Sequence, residues 1–110
     1  MKLPNGERAD LGTKLEDYSL NSEHRQGQHK ARVFEAALGV TPANKAVLAD
    51  AILRAAASST EVQPKGDNGF GDTYVLRFDM ETEKGPAKVL TAWIVRHGED
   101  FPRLTTCFIV

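Results

Sequence analysis

The groups best able to move protons or bind anions lie between Asn21 and Leu38, in the stretch NSEHRQGQHKARVFEAAL. This stretch contains two histidines and Lys30, and residues 24–32 include no acid. A histidine can accept and donate a proton near neutral pH because its ordinary pKa is about 6.5. The pattern therefore indicates acid–base chemistry beside an anion, with His24 and Lys30 as catalytic candidates. The alternative is a group of solvated polar residues at the start of a helix.

A helix is predicted from Gln28 to Leu38, and Gly39 is the type of residue that most often follows a helix end. The apolar residues that form one face of this helix are Val33, Phe34, Ala37 and Leu38. The first turn of a helix has free backbone N–H groups and the positive end of the dipole, so it can bind a phosphate. The residues that we expect to bind substrate there are Arg25, Gly27 and His29.

A second helix and several strands follow. Thr41 and Pro42 predict the start of the helix, whose apolar face comprises Val47, Leu48, Ala51, Ile52 and Ala55. The predicted strands are Thr73–Glu81, Ala87–Arg96 and Leu104–Val110, with a short edge strand at Glu61–Gln63. This order indicates an α+β fold, in which two helices are followed by a three- or four-stranded antiparallel sheet and pack on one of its faces.

The other face of the sheet is expected to be open. Strict alternation along the last strand puts Leu104 and Phe108 towards the helices, so Arg103 and Thr105 should project onto the open face. Arg77 lies on the less apolar face of its own strand and could join them as a further substrate-binding residue.

These groups suit the in-line attack of an RNA 2′-hydroxyl on the neighbouring phosphate. The histidine would take the proton, and the lysine and arginine would stabilise the charge that develops on phosphorus. The alternative is that Arg77 and Arg103 are cross-strand partners of acids such as Asp79.

The composition indicates an N-terminal arm over residues 1–12 and a single α+β domain over residues 13–110. The formal net charge of −1 excludes a protein that is basic throughout. No apolar run has the length of a membrane helix, and Cys107 is the only cysteine. We therefore expect a cytoplasmic protein without membrane contact. No spacing typical of a metal site or a cofactor loop occurs, so we expect neither a metal nor a cofactor.

Two stretches, KLEDYSLNSEHRQGQHKARVFEAALG and AWIVRHGEDFPRLTTC, resemble a family of small uncharacterised bacterial proteins of about this length. The element HxxGxxKAxxF is also similar to one in the C-terminal domains of contact-dependent growth inhibition and other polymorphic toxins. Those domains belong to the barnase, EndoU, colicin and RelE-like group of metal-independent ribonucleases, which have two helices followed by a four-stranded antiparallel sheet. The motif positions are His24, Gly27, Lys30, Phe34, Trp93, Arg103, Leu104 and Thr105.

The resemblance implies that the catalytic residues are His24, Lys30, Arg103 and Thr105. It also implies a toxin-type endoribonuclease that cleaves tRNA or mRNA without a metal and has a small antitoxin protein as its partner. The alternative is a non-enzymatic interaction module, which would be an antitoxin, immunity or accessory protein that holds its partner on the open sheet face. Whether the protein is an enzyme depends on which of these two interpretations holds.

Overall fold

Two helices and four strands follow one another in the order that the sequence predicts. The structure is a computed structural model that describes all 110 residues. Its elements are α1 (Gln28–Leu38), α2 (Lys45–Ser58), β1 (Val62–Asp67), β2 (Gly71–Thr82), β3 (Gly85–Arg96) and β4 (Arg103–Ile109). The strands pair antiparallel in the order β1-β2-β3-β4, and both helices pack on one face of the sheet. The predicted α+β fold is confirmed.

Local sequence signals set the ends of both helices. The first helix covers the predicted range, and Gly39 follows it with a φ of 69°, in the left-handed region that glycine tolerates. Thr41 caps a short 3₁₀ turn, Pro42–Asn44, that leads into α2, and its hydroxyl accepts a hydrogen bond from the N–H of Ala43. None of the helices is both long and apolar enough to cross a membrane.

Two valines that the sequence analysis assigns to buried helix faces are exposed instead. Val33 is 44% exposed and Val47 is 48% exposed. The buried residues are Ala31, Phe34 and Leu38 in α1, and Leu48, Ile52 and Ala56 in α2. Each valine directly precedes a buried residue, and consecutive residues point about 100° apart around a helix. Both valines therefore turn towards solvent.

The core lies between the helices and the sheet and includes Trp93 of β3, which is 1% exposed. Its indole N–H donates to Thr91 Oγ1 at 2.8 Å, and that hydroxyl donates to the carbonyl of Leu76 at 2.9 Å. These bonds avoid the cost of about 1–3 kcal/mol for burying an unpaired polar group. Trp93 is therefore a core residue.

The edge strand β1 is longer than the predicted Glu61–Gln63. It pairs with β2 through a register shift between Pro64 and Gly66, and only Val62 is buried along it. Because its other residues are exposed and include proline and glycine, the apolar alternation that identifies a strand in a sequence is missing.

A β-bulge in β4 changes which side chains face the open side of the sheet. Ala92 of β3 pairs with Thr106, and Trp93 pairs with Leu104, so Thr105 is an extra residue without a partner. One extra residue shifts every following side chain to the opposite face from the one that strict alternation predicts.

The assignment of Phe108 to the helix-facing side is therefore wrong. Phe108 pairs with Leu90, which pairs with Arg77, and residues directly opposite one another in antiparallel strands share a face. Cys107 takes the place in the core instead and is 0% exposed.

Residues 1–12, which the sequence analysis separates as an arm, contact both the helices and the sheet. Leu3 is 3% exposed and belongs to the core cluster. Gly6 packs so closely on α2 that an added Cβ would lie 1.9 Å from the carbonyl oxygen of Ala56. Asp10 forms a parallel bridge with Arg103 at the start of β4, so this segment fixes the position of one end of the last strand.

Candidate functional site

Lys30 is at the centre of a group of side chains at the outer edge of β4. Its Nζ donates to the Tyr18 hydroxyl at 2.7 Å and to Thr106 Oγ1 at 3.3 Å. The same ammonium lies 4.3 Å from the centroid of the Tyr18 ring and 5.4 Å from that of Phe108. We call Tyr18, Lys30, Thr106 and Phe108 the Lys30 cluster. None of the salt bridges in the protein involves Lys30, so its charge has no acidic partner.

Three parts of the chain position this cluster. Lys30 is the third residue of α1, and Tyr18 comes from a short π-helical turn, Leu15–Ser19. Thr106 and Phe108 follow the β4 bulge, which turns both towards the face away from the helices. The long lysine side chain reaches from the helix to these residues, because its alkyl stem can extend along the protein while its head stays near solvent.

His24 contacts the Lys30 cluster, but its ring already has a structural role. Its Nδ1 accepts hydrogen bonds from the backbone N–H groups of Gln26 and Gly27, both at 3.0 Å. A nitrogen that accepts from two amides has no proton, so the neutral ring carries its proton on Nε2. The ring also makes an edge contact with Tyr18, at 4.8 Å between centroids. In this state His24 caps the turn before α1 and has no free nitrogen that could act as a base.

Gly27 is required by close packing. A Cβ at this position would lie 2.1 Å from the carbonyl oxygen of Tyr18. Further along the same element Ala31 is 7% exposed and Phe34 is 0% exposed. Local packing therefore accounts for the histidine, the glycine, the alanine and the phenylalanine of HxxGxxKAxxF, and leaves its lysine as the position with a free charge.

Other basic residues lie close to Lys30 in the sequence and have no acidic partners. Arg25, His29 and Arg32 are exposed, and their side chains take part in no ion pair of the protein. Together with Lys30 they are the basic side chains of residues 25–32, a stretch without an acid, and we call these four residues the α1 basic patch. The ring of His29 makes no hydrogen bond, and it borders a slot of about 200 Å³ beside Lys30.

Arg103 lies in a different environment, in which its charge is balanced. Its guanidinium donates to both carboxylate oxygens of Glu99, at 2.9 and 2.8 Å, and to Asp10 Oδ2 at 3.3 Å. Its hydrogen bonds hold the pKa of Glu99 below the ordinary value. A further ion pair, Arg8 to Asp100 at 3.0 Å, lies beside the same loop. We call Asp10, Glu99 and Arg103 the Arg103 corner.

The remaining candidates do not join either group. Thr105 is the exposed bulge residue, and its hydroxyl donates to the carbonyl of Ala92 at 3.0 Å. Arg77 donates weakly to Gln63 Oε1 at 3.5 Å and borders a depression on the β1 side of the sheet. Its expected partner, Asp79, is paired with Lys88 instead, at 3.6 Å.

The structure therefore brings only part of the predicted catalytic set together. His24 and Lys30 both contact Tyr18, whereas Arg103 borders a separate depression from the one that Lys30 borders. The four predicted catalytic residues do not surround one phosphate-sized site. The sequence analysis did not assign a functional role to Tyr18, Thr106 or Phe108. The faces of Thr106 and Phe108 depend on a bulge that the sequence pattern does not reveal, and Tyr18 meets Lys30 through a turn 12 positions away in the sequence.

No other group of side chains offers a metal or nucleophile site. No three His, Cys, Asp or Glu residues lie close enough together to hold a metal ion. Burial raises the pKa of the Cys107 thiol to about 11, against smaller opposing effects of the Ser19 hydrogen bond and the Lys30 charge. This thiol is therefore protonated near neutral pH and unsuited to nucleophilic attack.

Comparison with known proteins identifies a family for the chain. A family described as "Domain of unknown function (DUF6883)" matches residues 2–110. No curated protein matches the chain. Because the match covers nearly every residue, from the first turn to the last strand, the chain belongs to the DUF6883 family.

Proposed function

We propose that this domain is a toxin-type endoribonuclease that cleaves RNA without a metal ion. The observation that carries the proposal is the Lys30 ammonium, which has no acidic partner and lies 2.7 Å from the Tyr18 hydroxyl and 3.3 Å from Thr106 Oγ1. A fixed cation beside two hydroxyl groups suits a phosphate of the RNA backbone, on which negative charge increases during cleavage.

His29 is better suited than His24 to act as the base. A general base needs a free nitrogen within hydrogen-bond reach of the proton that it removes. The ring of His29 makes no hydrogen bond and borders the slot beside Lys30, whereas Nδ1 of His24 is occupied by two backbone N–H groups. In this proposal His24 positions Tyr18 and the start of α1, and His29 takes part in the reaction.

The proposed reaction uses three side chains. His29 removes the proton of the RNA 2′-hydroxyl, and the 2′-oxygen forms a bond to the adjacent phosphorus. The bond from phosphorus to the 5′-oxygen of the next nucleotide breaks, and the Tyr18 hydroxyl gives its proton to that oxygen. Lys30 stabilises the negative charge first on the phosphorane and then on the phenolate. The products carry a 2′,3′-cyclic phosphate and a 5′-hydroxyl.

The distribution of charge supports both RNA as the substrate and an acidic protein as the partner. The chain has a formal net charge of −1, so the α1 basic patch stands out from an otherwise balanced surface. Unpaired cations attract phosphate backbones because they displace condensed counterions from the nucleic acid. We further propose that a small antitoxin covers this patch with acidic side chains.

Expression of the chain in growing bacteria tests the proposal. The wild type should stop growth, and cellular RNA should gain new 2′,3′-cyclic phosphate and 5′-hydroxyl ends. Lys30→Met and His29→Asn should restore growth while the proteins stay folded. Arg54→Met, which removes an exposed and unpaired cation from α2, is the matched control and should stop growth as the wild type does. Harmless wild-type expression without new RNA ends would contradict the proposal.

A non-enzymatic interaction module is the second candidate function. The observation that favours it is that all four predicted catalytic side chains make hydrogen bonds within the protein, Lys30 to two hydroxyl groups. His24 accepts from backbone N–H groups, Arg103 binds two carboxylates, and Thr105 donates to a backbone carbonyl. On this account a partner protein binds the open sheet face. RNA that stays intact with the purified wild type would favour this function.

A further inference from the structure

A small apolar slot lies between α1 and the outer edge of β4, next to the Lys30 cluster. It has a volume of about 200 Å³ and is bordered by His29, Lys30, Val33, Phe108 and Ile109. This volume is below the range of about 300–1,000 Å³ that is typical of sites for drug-sized ligands. The slot therefore suits one small group.

The lining of the slot is aromatic and aliphatic and includes one cation. It contains the half-buried ring of Phe108 and Val33, which is 44% exposed. Lys30 Nζ lies 5.4 Å from the centre of the Phe108 ring. The basic residues around it have no acidic partners, so the occupant should combine a flat apolar face with a negative charge.

We infer that this slot binds an unpaired base of single-stranded RNA while the adjoining phosphate contacts Lys30. A base and its phosphate are separated by one sugar, and Lys30 borders both the slot and the two hydroxyl groups of its cluster. Every base has a π face that can stack on an aromatic side chain, at a gain of about 1–3 kcal/mol. This inference rests on the proposed function, because it names the part of the RNA that the same site holds.

Binding of an oligonucleotide that cannot be cleaved tests the slot separately from catalysis. The probe is a short single-stranded 2′-O-methyl oligonucleotide, which lacks the attacking hydroxyl, and its companion has the same backbone with abasic sugars. The wild type should bind the abasic companion about tenfold or more weakly. Phe108→Leu should weaken binding of the complete probe to a similar extent and leave binding of the abasic companion unchanged.

Phe70→Leu is the matched control. Phe70 is 74% exposed and precedes Gly71, which pairs with the far end of β3 at Arg96, so its replacement should change neither affinity. Lys30→Met should weaken both probes, because both carry phosphates.

The inference is overturned if the wild type binds the two probes equally, if it binds neither, or if Phe108→Leu weakens both to the same extent. If the two probes bound equally and Lys30→Met weakened both, the proposed ribonuclease function would stand. The slot would then be assigned to contact with a protein partner instead of a base. Conversely, base-dependent binding by a protein that leaves RNA uncleaved would support the slot and contradict the proposed catalysis.

Discussion

The Lys30 cluster and the Arg103 corner each fix a cation at β4, but they treat its charge differently. Lys30 is held by hydroxyl groups and aromatic rings, at 2.7 Å from the Tyr18 oxygen, without an acid. Arg103 is held by carboxylates of Glu99 and Asp10. The first arrangement leaves a positive charge for a ligand, and the second neutralises it inside the protein.

This difference separates a binding role from a structural one. Asp10 belongs to the N-terminal segment and Glu99 to the β3–β4 loop, so Arg103 connects two irregular segments to β4. Lys30 is attached to neutral hydroxyl groups and aromatic rings, which hold its ammonium in place without balancing its charge. A cation whose charge is not balanced by an acidic side chain is the better candidate for contact with RNA.

The largest loss of stability is expected at Gly27. The Lys30 cluster depends on the close packing of this glycine against the turn that carries Tyr18. In Gly27→Ala the new Cβ would lie 2.1 Å from the Tyr18 carbonyl oxygen, so the turn that carries Tyr18 must move. We expect the free energy of unfolding to fall by about 3 kcal/mol, measured by urea denaturation. Gly98→Ala is the control: its Cβ meets nothing within 4 Å, although its φ is 84°, so it should cost about 1 kcal/mol. A smaller loss for Gly27→Ala than for Gly98→Ala would contradict this account.

A smaller effect is expected at His24, whose ring caps the turn before α1. His24→Leu removes the acceptor of two backbone N–H groups and should lower the free energy of unfolding by about 1 kcal/mol. His24→Asn supplies a side-chain oxygen that can accept from the same region, so it should recover most of the stability. If His24 were the base, His24→Asn would be inactive although stable. Restored stability together with near wild-type RNA cleavage is the expected outcome.

The Arg103 corner should respond to salt and pH. Arg103→Met should lower the thermal midpoint most at low ionic strength, because surface ion pairs are screened by salt. The pKa of Glu99 is lowered by its hydrogen bonds to Arg103. Ionised Glu99 therefore stabilises the fold above the pKa of a glutamate in the unfolded chain. This stabilisation is lost as the pH falls through the lowered pKa. Arg77→Met, which loses only a bond of 3.5 Å to Gln63, is the control. If the difference in thermal midpoint between the two variants did not change with ionic strength, ionic stabilisation would be contradicted.

The smallest effect is expected where a histidine, rather than an arginine, balances an acid. His97 Nε2 lies 2.6 Å from Asp67 Oδ2, and this hydrogen bond raises the pKa of His97 and lowers the pKa of Asp67. The stabilisation of the fold by protonated His97 is lost as the pH rises through the raised pKa of the histidine. The stabilisation by ionised Asp67 is lost as the pH falls through the lowered pKa of the aspartate. His97→Gln should therefore destabilise the fold most between about pH 4 and pH 6.5. Thermal midpoints measured across this range check the prediction, and a loss that peaks at alkaline pH would contradict it.

Much of the fold could be predicted because its signals are local. The bounds of α1, the glycine after it, and the alternation of Tyr74, Leu76, Phe78 and Met80 depend on signals within a few residues and agree with the structure. The predicted edge strand is shorter than β1, because β1 is almost wholly exposed and lacks an apolar alternation. The face of Phe108 was wrong because a single bulge residue reverses the alternation, and no residue type near Thr105 signals it.

The candidate site was predictable only in part, because it depends on partners that are distant in the sequence. Lys30 could be selected as a cation in an acid-free stretch, and His24 as a neighbour of Gly27. The pairing of Arg103 with Asp10 joins residues 93 positions apart, and the contact of Lys30 with Thr106 joins residues 76 positions apart. Contacts between residues so far apart in the sequence cannot be predicted from the spacing of motifs. An arginine paired with carboxylates could therefore not be distinguished from an unpaired one.

The most direct test of the distinction between the Lys30 cluster and the Arg103 corner is the rate of RNA cleavage by purified Lys30→Met and Arg103→Met in the presence of EDTA. Both rates should be compared with the wild type at a temperature at which all three proteins are folded. We predict that Lys30→Met lowers the rate by about 100-fold or more, as expected for the loss of a group that stabilises transition-state charge, and that Arg103→Met changes it by less than about threefold. A loss for Arg103→Met as large as that for Lys30→Met would contradict the account, as would a wild type that does not cleave RNA.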